Sequence, residues 1–239
     1  MKILITGASR GVGRAIAIKC AESGSFERII INAYKNSASL SETAEKIKEK
    51  GTENVITTLG DVGDISYVES IYKDFGPVDV VINNAAVSYI RLLTDMTPDE
   101  WDHLITTNIT SLYNTCHTYT PFMIRQHSGH IINVSSVWGR IGASCEVAYS
   151  ASKGAVDAFT RALAKELAPS NVQVNAVALG VVDTEMNSHL SDDEKADLAD
   201  EIPVGRMATA EEAAEAVLSL LNMPPYFTGE VVSFDGGWY

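Results

Sequence analysis

Lys2-Ile3-Leu4-Ile5-Thr6-Gly7-Ala8-Ser9-Arg10-Gly11-Val12-Gly13 is the stretch that decides the fold. Residues 2–6 are a short apolar run rich in β-branched side chains, and residues 14–23 beyond the glycines follow a helical pattern. The stretch therefore reads as strand, glycine turn and helix. Glycine lets the backbone turn sharply and come close to a ligand. Free N–H groups and the positive end of the helix dipole then face the turn, an arrangement that suits a pyrophosphate. Gly7, Ser9, Arg10, Gly11, Val12 and Gly13 are thus candidates to hold a dinucleotide.

Outward from this unit, strand-like runs recur at 28–32, 54–59, 78–82, 129–134, 171–178 and 228–234. Helical patterns lie between them at 41–50, 101–126, 149–167 and 209–221, and the pattern at 101–126 reads as one long helix. Strands that alternate with helices, and that are apolar on both sides, predict a parallel sheet covered on both faces. The expected architecture is a single-domain α/β fold, a Rossmann-like doubly wound sheet of about seven strands. A chain of 239 residues with 46% hydrophobic content is long enough to bury one such core.

Composition excludes several function classes. A formal charge of −13 argues against a nucleic-acid partner, because neutralising a phosphate backbone needs clustered Lys and Arg. No run approaches the roughly 18 to 20 apolar residues of a membrane span. The first strand leads straight into the glycine turn and leaves no room for a leader, so a cytoplasmic location is expected. Cys20, Cys116 and Cys145 are odd in number and scattered, matching neither a disulfide framework nor a metal site. His127 and His130 form an H-x-x-H without a third ligand nearby, and no metal is expected.

Two local patterns carry chemistry. Tyr149 and Lys153 stand four apart on a helix and so project from one face. A cation within a few ångströms of a phenol favours the phenolate, which suits proton transfer. Alone, this spacing more often marks a core-edge Tyr beside a solvated Lys. At the end of the second strand, dinucleotide folds place an acid for the ribose hydroxyls or a basic group for a 2′-phosphate. Here Asn32-Ala33-Tyr34-Lys35 offers no acid before Glu42, which predicts NADP(H) in preference to NAD(H), with Lys35 as one cation.

The spacing T-G-x-x-x-G-x-G at residues 6–13, Asn83-Asn84-Ala85-Ala86 after the fourth strand, Ser135-Ser136 after the fifth, Tyr149-x-x-x-Lys153, and Thr228-Gly229 with Asp235-Gly236-Gly237 near the end together resemble the short-chain dehydrogenase/reductase family. The resemblance spans nearly the whole chain and is strongest to its 3-oxoacyl-[acyl-carrier-protein] reductase branch. It implies a carbonyl–alcohol oxidoreductase with Asn108, Ser136, Tyr149 and Lys153 as catalytic residues. Ser136 rather than Ser135 is implied by its place thirteen residues before Tyr149. The resemblance further implies that Arg10 meets the 2′-phosphate, that Asp61 and Val62 contact the adenine, and that Asn84 and Ala85 lie along the cofactor. Gly180, Val182 and Thr184 would border the nicotinamide and pyrophosphate, and residues 185–206 would form the substrate lid. Asp61 also reads as a helix cap. Ala86 and Leu179 replace the Gly and Pro usual in the family.

Several readings of substrate and partner follow. The resembled branch implies a β-ketoacyl thioester and an acyl carrier protein as partner. Yet few basic groups are in view near the site, leaving Arg125, Arg140 and Arg206 for an acidic carrier. Relatives with these motifs also act on free small molecules such as steroids, sugars or simple ketones and alcohols, and a non-catalytic dinucleotide-binding scaffold is a third reading. The resemblance implies a homotetramer packed through the helices at 101–126 and 149–167.

Overall fold

The computed structural model describes residues 1–188 and 191–239. β1 (Lys2–Ile5), β2 (Arg28–Ala33), β3 (Val55–Leu59), β4 (Val80–Asn83), β5 (Gly129–Ser136), β6 (Val172–Leu179) and β7 (Val231–Phe234) make one seven-stranded sheet in the order β3-β2-β1-β4-β5-β6-β7. Every pairing is parallel. The apolar runs are explained by burial on both faces. Ile3, Ile5, Ile29 and Ile31 enter one core and Leu4 and Ile30 the other, as alternating side-chain direction requires. The first core is closed by α1 (Gly11–Glu22), α2 (Ser37–Glu49) and α9 (Ala210–Leu221), and the second by α3 (Ile65–Phe75), α5 (Ser111–Gln126) and α7 (Val147–Leu167). This is the expected single-domain, doubly wound architecture.

The chain runs outward from β1 to β3 and then crosses back to β4 on the other side of β1. That reversal opens a crevice at the carboxyl ends of β1 and β4, the place where such sheets bind ligands.

Several boundaries differ from expectation. α1 begins at Gly11, inside the glycine turn, and not at residue 14. α2 begins at Ser37, where Asn36 accepts a hydrogen bond from the Ser39 N–H at 3.0 Å. α3 is a helix the sequence reading did not mark. Its cap is Asp64, which accepts from the Ser66 N–H. The stretch 101–126 is not one helix. α4 (Pro98–Ile105) and α5 are joined by a π-helical turn, Thr106–Thr110, centred on Asn108. β5 runs two residues past 134 and ends on Ser136 itself.

A short helix, α6 (Trp138–Ile141), precedes α7. In the expected lid, α8 (Asp192–Glu201) is held by a capping box between Ser191 and Glu194; residues 189 and 190 of that segment lie outside the described residues. Among the described residues no helix is long and apolar enough to cross a membrane.

Candidate active site

The glycine turn is shaped by close contact. A side chain on Gly13 would stand 2.5 Å from Asn84 Nδ2 and closer still to the Gly7 carbonyl oxygen, and one on Gly7 would stand 2.8 Å from Ala85 Cα. Gly7 and Gly11 also take positive φ, 65° and 53°. Asn84 locks this contact. Its Nδ2 donates to the carbonyls of Thr6 and Gly7 at 3.0 Å each, while Thr6 Oγ1 accepts from the N–H groups of Asn84 and Ala85. Ala86 takes no positive φ, so the alanine is accommodated in this turn without strain.

No side chain caps α1, and its first turn holds no acid, whereas α2, α3, α4, α8 and α9 are all capped by side chains. The first turn of α1 borders a cleft of about 590 Å³, a volume typical of small-molecule sites. That cleft is lined by every expected cofactor residue: Gly7, Ser9, Arg10, Gly11, Val12, Gly13, Lys35, Asp61, Val62, Asn84, Ala85, Tyr149, Lys153, Gly180, Val182 and Thr184. Ser136 lines it as well, and Asn108 does not.

At the β2 end, the Lys35 ammonium lies 4.5 Å from the centre of the Tyr34 ring. Asp61 Oδ1 accepts from the Gly63 N–H at 2.7 Å and so closes a turn, leaving the capping of α3 to Asp64. Arg14 ties the glycine turn to α2, donating to the Ser9 carbonyl at 2.7 Å and to Ser39 and Thr43. Neither Arg14 nor the buried Asn32, which bonds the Gly60 carbonyl and Tyr67, was singled out from sequence. Apart from Ser9, their partners lie 25 to 35 positions along the chain, too far to be paired by pattern.

At the opposite end, β5 and α7 bring the polar side chains together. Ser135 Oγ donates to Asp157 Oδ1 at 2.5 Å. Ser136 instead lines the cleft that Tyr149 also lines, and its Oγ accepts from the Trp138 N–H at 3.3 Å. Lys153, 3% exposed, donates from Nζ to the Val134 carbonyl at 2.8 Å and stands 5.5 Å from the centre of the Tyr149 ring. Burial pushes its pKa down to about 8, opposed by the Asp157 carboxylate. Enclosure likewise pushes the Tyr149 phenol up, Glu146 adds to that rise, and the Ser136 hydrogen bond pulls the other way. The expectation that Lys153 lowers the phenol's pKa is not met in this state, where loss of hydration is the largest influence on the phenol.

Asn108 is 4% exposed and fully engaged. Its Oδ1 accepts from the Val87 N–H at 2.8 Å, and its Nδ2 donates to the Val87 carbonyl and to Ser152 Oγ at 3.0 Å each. It thus fixes the segment after β4 and the residue beside Lys153. Three further residues escaped the sequence reading. Ser88 and His103 line the cleft, and Ser88 donates to Glu146 at 2.6 Å. Glu146 sits three residues before Tyr149, a helical spacing that was available as a signal.

Leu179, at the usual proline position, completes β6 by pairing with Ser136 and Phe234. The isolated polar groups fit no metal site: among the described residues no three or more His, Cys, Asp or Glu side chains gather to hold one. Burial raises Cys20 and Cys116 to about 12, which leaves both as inert thiols.

Comparison with known proteins adds four findings. A family model described as short chain dehydrogenase matches residues 1–195. An uncharacterized oxidoreductase, YmfI of Bacillus subtilis (strain 168), is 39% identical over 238 residues, covering 99% of this chain and 98% of the relative. The 3-oxoacyl-[acyl-carrier-protein] reductase FabG of Chlamydia muridarum is 36% identical over 236 residues, covering 98% and 95%. Among solved structures, a 3-oxoacyl-[acyl-carrier protein] reductase with bound NAD from Brucella melitensis superposes with a TM-score of 0.91 at 32% identity, over 100% of this chain and 90% of that one.

Proposed function

The chain belongs to the short chain dehydrogenase family, and from that premise we propose that it is an NADP(H)-dependent enzyme reducing a β-ketoacyl thioester in the manner of a 3-oxoacyl-[acyl-carrier-protein] reductase. The family makes it an oxidoreductase of CH–OH groups that uses a nicotinamide dinucleotide. The observation that supports the finer reading is that Ser136, Tyr149 and Lys153 line one cleft together with Arg10 and Lys35.

The residues present fit the dinucleotide. The uncapped start of α1 and the Gly7–Gly13 contact leave main-chain groups open to a pyrophosphate. Asp61, Val62 and Lys35 would hold the adenosine end, Asn84, Ala85, Gly180, Val182 and Thr184 the remainder, and Arg10 and Lys35 the 2′-phosphate. When bound, the nicotinamide supplies the hydride.

The chain supplies orientation and the proton. Ser136 would hydrogen-bond the substrate oxygen, and Tyr149 would donate its proton to that oxygen as charge develops there. A phenol whose pKa is raised stays protonated at neutral pH, which suits the reductive direction. As the proton leaves, the Lys153 ammonium stabilises the phenolate. Asn108 acts by holding Val87 and Ser152 in place. Residues 185–206 would close over the substrate, and four copies would pack through α5 and α7, where Tyr113 and Ile124 are exposed.

One observation favours a free small-molecule substrate instead. Two of the three cations named for an acidic carrier are engaged within the chain. Arg140 donates to Ser233 and to the Val231 carbonyl, and Arg206 is bidentate to Glu212 at 2.7 and 2.8 Å. NADPH oxidation with an acetoacetyl thioester tests the proposal. Turnover supports it, whereas turnover only with steroids, sugars or simple ketones supports the second reading.

A further inference from the structure

Arg10 and Glu185 lie 175 positions apart in the chain and meet at the cleft. Arg10 leaves the glycine turn as the residue preceding α1, with extended backbone. Glu185 opens the short 3-10 turn Glu185–Asn187 where the substrate-side segment begins. Arg10 Nη1 donates to Glu185 Oε2 at 2.9 Å.

The backbone on both sides brings the two residues close together. A side chain on Gly11 would stand 3.5 Å from Thr184 Cγ2. The chain around Glu185 is tied down by the Asp183 N–H to the Ala208 carbonyl at 2.9 Å and by Asn187 Nδ2 to the Val182 carbonyl at 2.8 Å. Both residues line the one cleft that Lys35 also lines.

We propose that Glu185 is a specificity-determining residue for the dinucleotide: its carboxylate holds the Arg10 guanidinium, and a cofactor bearing a 2′-phosphate must displace it to bind. The inference rests on the reading of Arg10 as a partner of that phosphate. A guanidinium joins carboxylates and phosphates through the same fork of N–H donors, so the two anions are rivals for one group. The cofactor without the 2′-phosphate makes no demand on Arg10 and leaves the pair intact. Glu185 thus narrows a preference that Arg10 and Lys35 would otherwise set, and phosphate binding loosens the tie between the glycine turn and the start of the substrate-side segment.

The size of the effect follows from the setting. The two side chains are 62% and 64% exposed, and exposed ion pairs contribute little, so releasing Arg10 should alter affinity by only about two- to fivefold. Exposure also means that neither substitution threatens the fold.

The test is a cycle of binding measurements on the full chain. Kd for NADPH and for NADH is measured by calorimetry in the wild type, Glu185→Gln, Arg10→Gln and the double variant. Glu185→Gln is expected to raise the NADPH-over-NADH preference by about two- to fivefold, and the rise should vanish when Arg10 is also Gln. An unchanged or lower preference in Glu185→Gln overturns the inference, and so does an equal rise in the Arg10→Gln background, which would reflect general charge. If Arg10→Gln alone leaves the preference unaltered, the reading of Arg10 falls and this inference falls with it. If Arg10→Gln lowers the preference while Glu185→Gln changes nothing, only the inference falls.

Discussion

Lys153 donates its ammonium to the carbonyl oxygen of Val134 at 2.8 Å, in a setting that leaves it 3% exposed. Folding moves its pKa from 10.5 down to about 8. Between those values the unfolded chain binds more protons than the folded one, so stability from this group rises as pH goes from about 8 to 10.5 and is lowest below 8. Lys153→Met lacks the group. Thermal unfolding of both proteins across this window is expected to show the wild type gaining on the variant by up to about 3 kcal/mol. A difference that stays constant with pH contradicts a buried, titrating ammonium.

Gly13 lies in α1, where replacing glycine by alanine ordinarily stabilises a helix by up to ~1 kcal/mol. Here the new methyl group would stand 2.5 Å from Asn84 Nδ2. Gly13→Ala is expected to destabilise the protein by about 1–3 kcal/mol and to weaken dinucleotide binding, because the turn must open. Unfolding curves and a binding titration check this, and an unchanged Tm would mean the contact is slack.

Asn108 carries three hydrogen bonds to Val87 and Ser152. Asn108→Ala removes the side-chain partners of the part-buried Val87 N–H and carbonyl and is expected to lose about 1–2 kcal/mol in urea unfolding. A loss confined to turnover, with stability intact, would instead give Asn108 a direct part in the chemistry.

The sheet was legible because the central strands β1, β2, β4 and β6 carry apolar side chains on both faces, and the glycine turn because Gly7 and Gly13 leave no room for a side chain. The cleft was legible for the same reason, since its lining residues lie at the strand ends. The sequence marks α3 less plainly: Ile65, Val68, Ile71 and Phe75 repeat at helical spacing, but two carboxylates three residues apart, Asp61 and Asp64, compete as its cap. The π-helical turn at Thr106–Thr110 leaves the apolar pattern of 101–126 almost unbroken, so spacing alone does not mark it. Contacts such as Arg10 with Glu185 or Ser88 with Glu146 join segments far apart in sequence, and one chain read alone has no signal for them. The direction of the Tyr149 shift depends on enclosure, a property of the packed cleft and not of the Tyr–Lys spacing.

Tyr149 is the group proposed to move the proton. Steady-state NADPH oxidation and NADPH binding are to be measured side by side in the wild type and Tyr149→Phe, with whichever carbonyl substrate the wild type turns over. Removing a positioned acid should lower kcat by about 10²–10⁴-fold, while the NADPH Kd stays that of the wild type because the phenyl ring is kept. Turnover within about tenfold of the wild type would contradict the assignment.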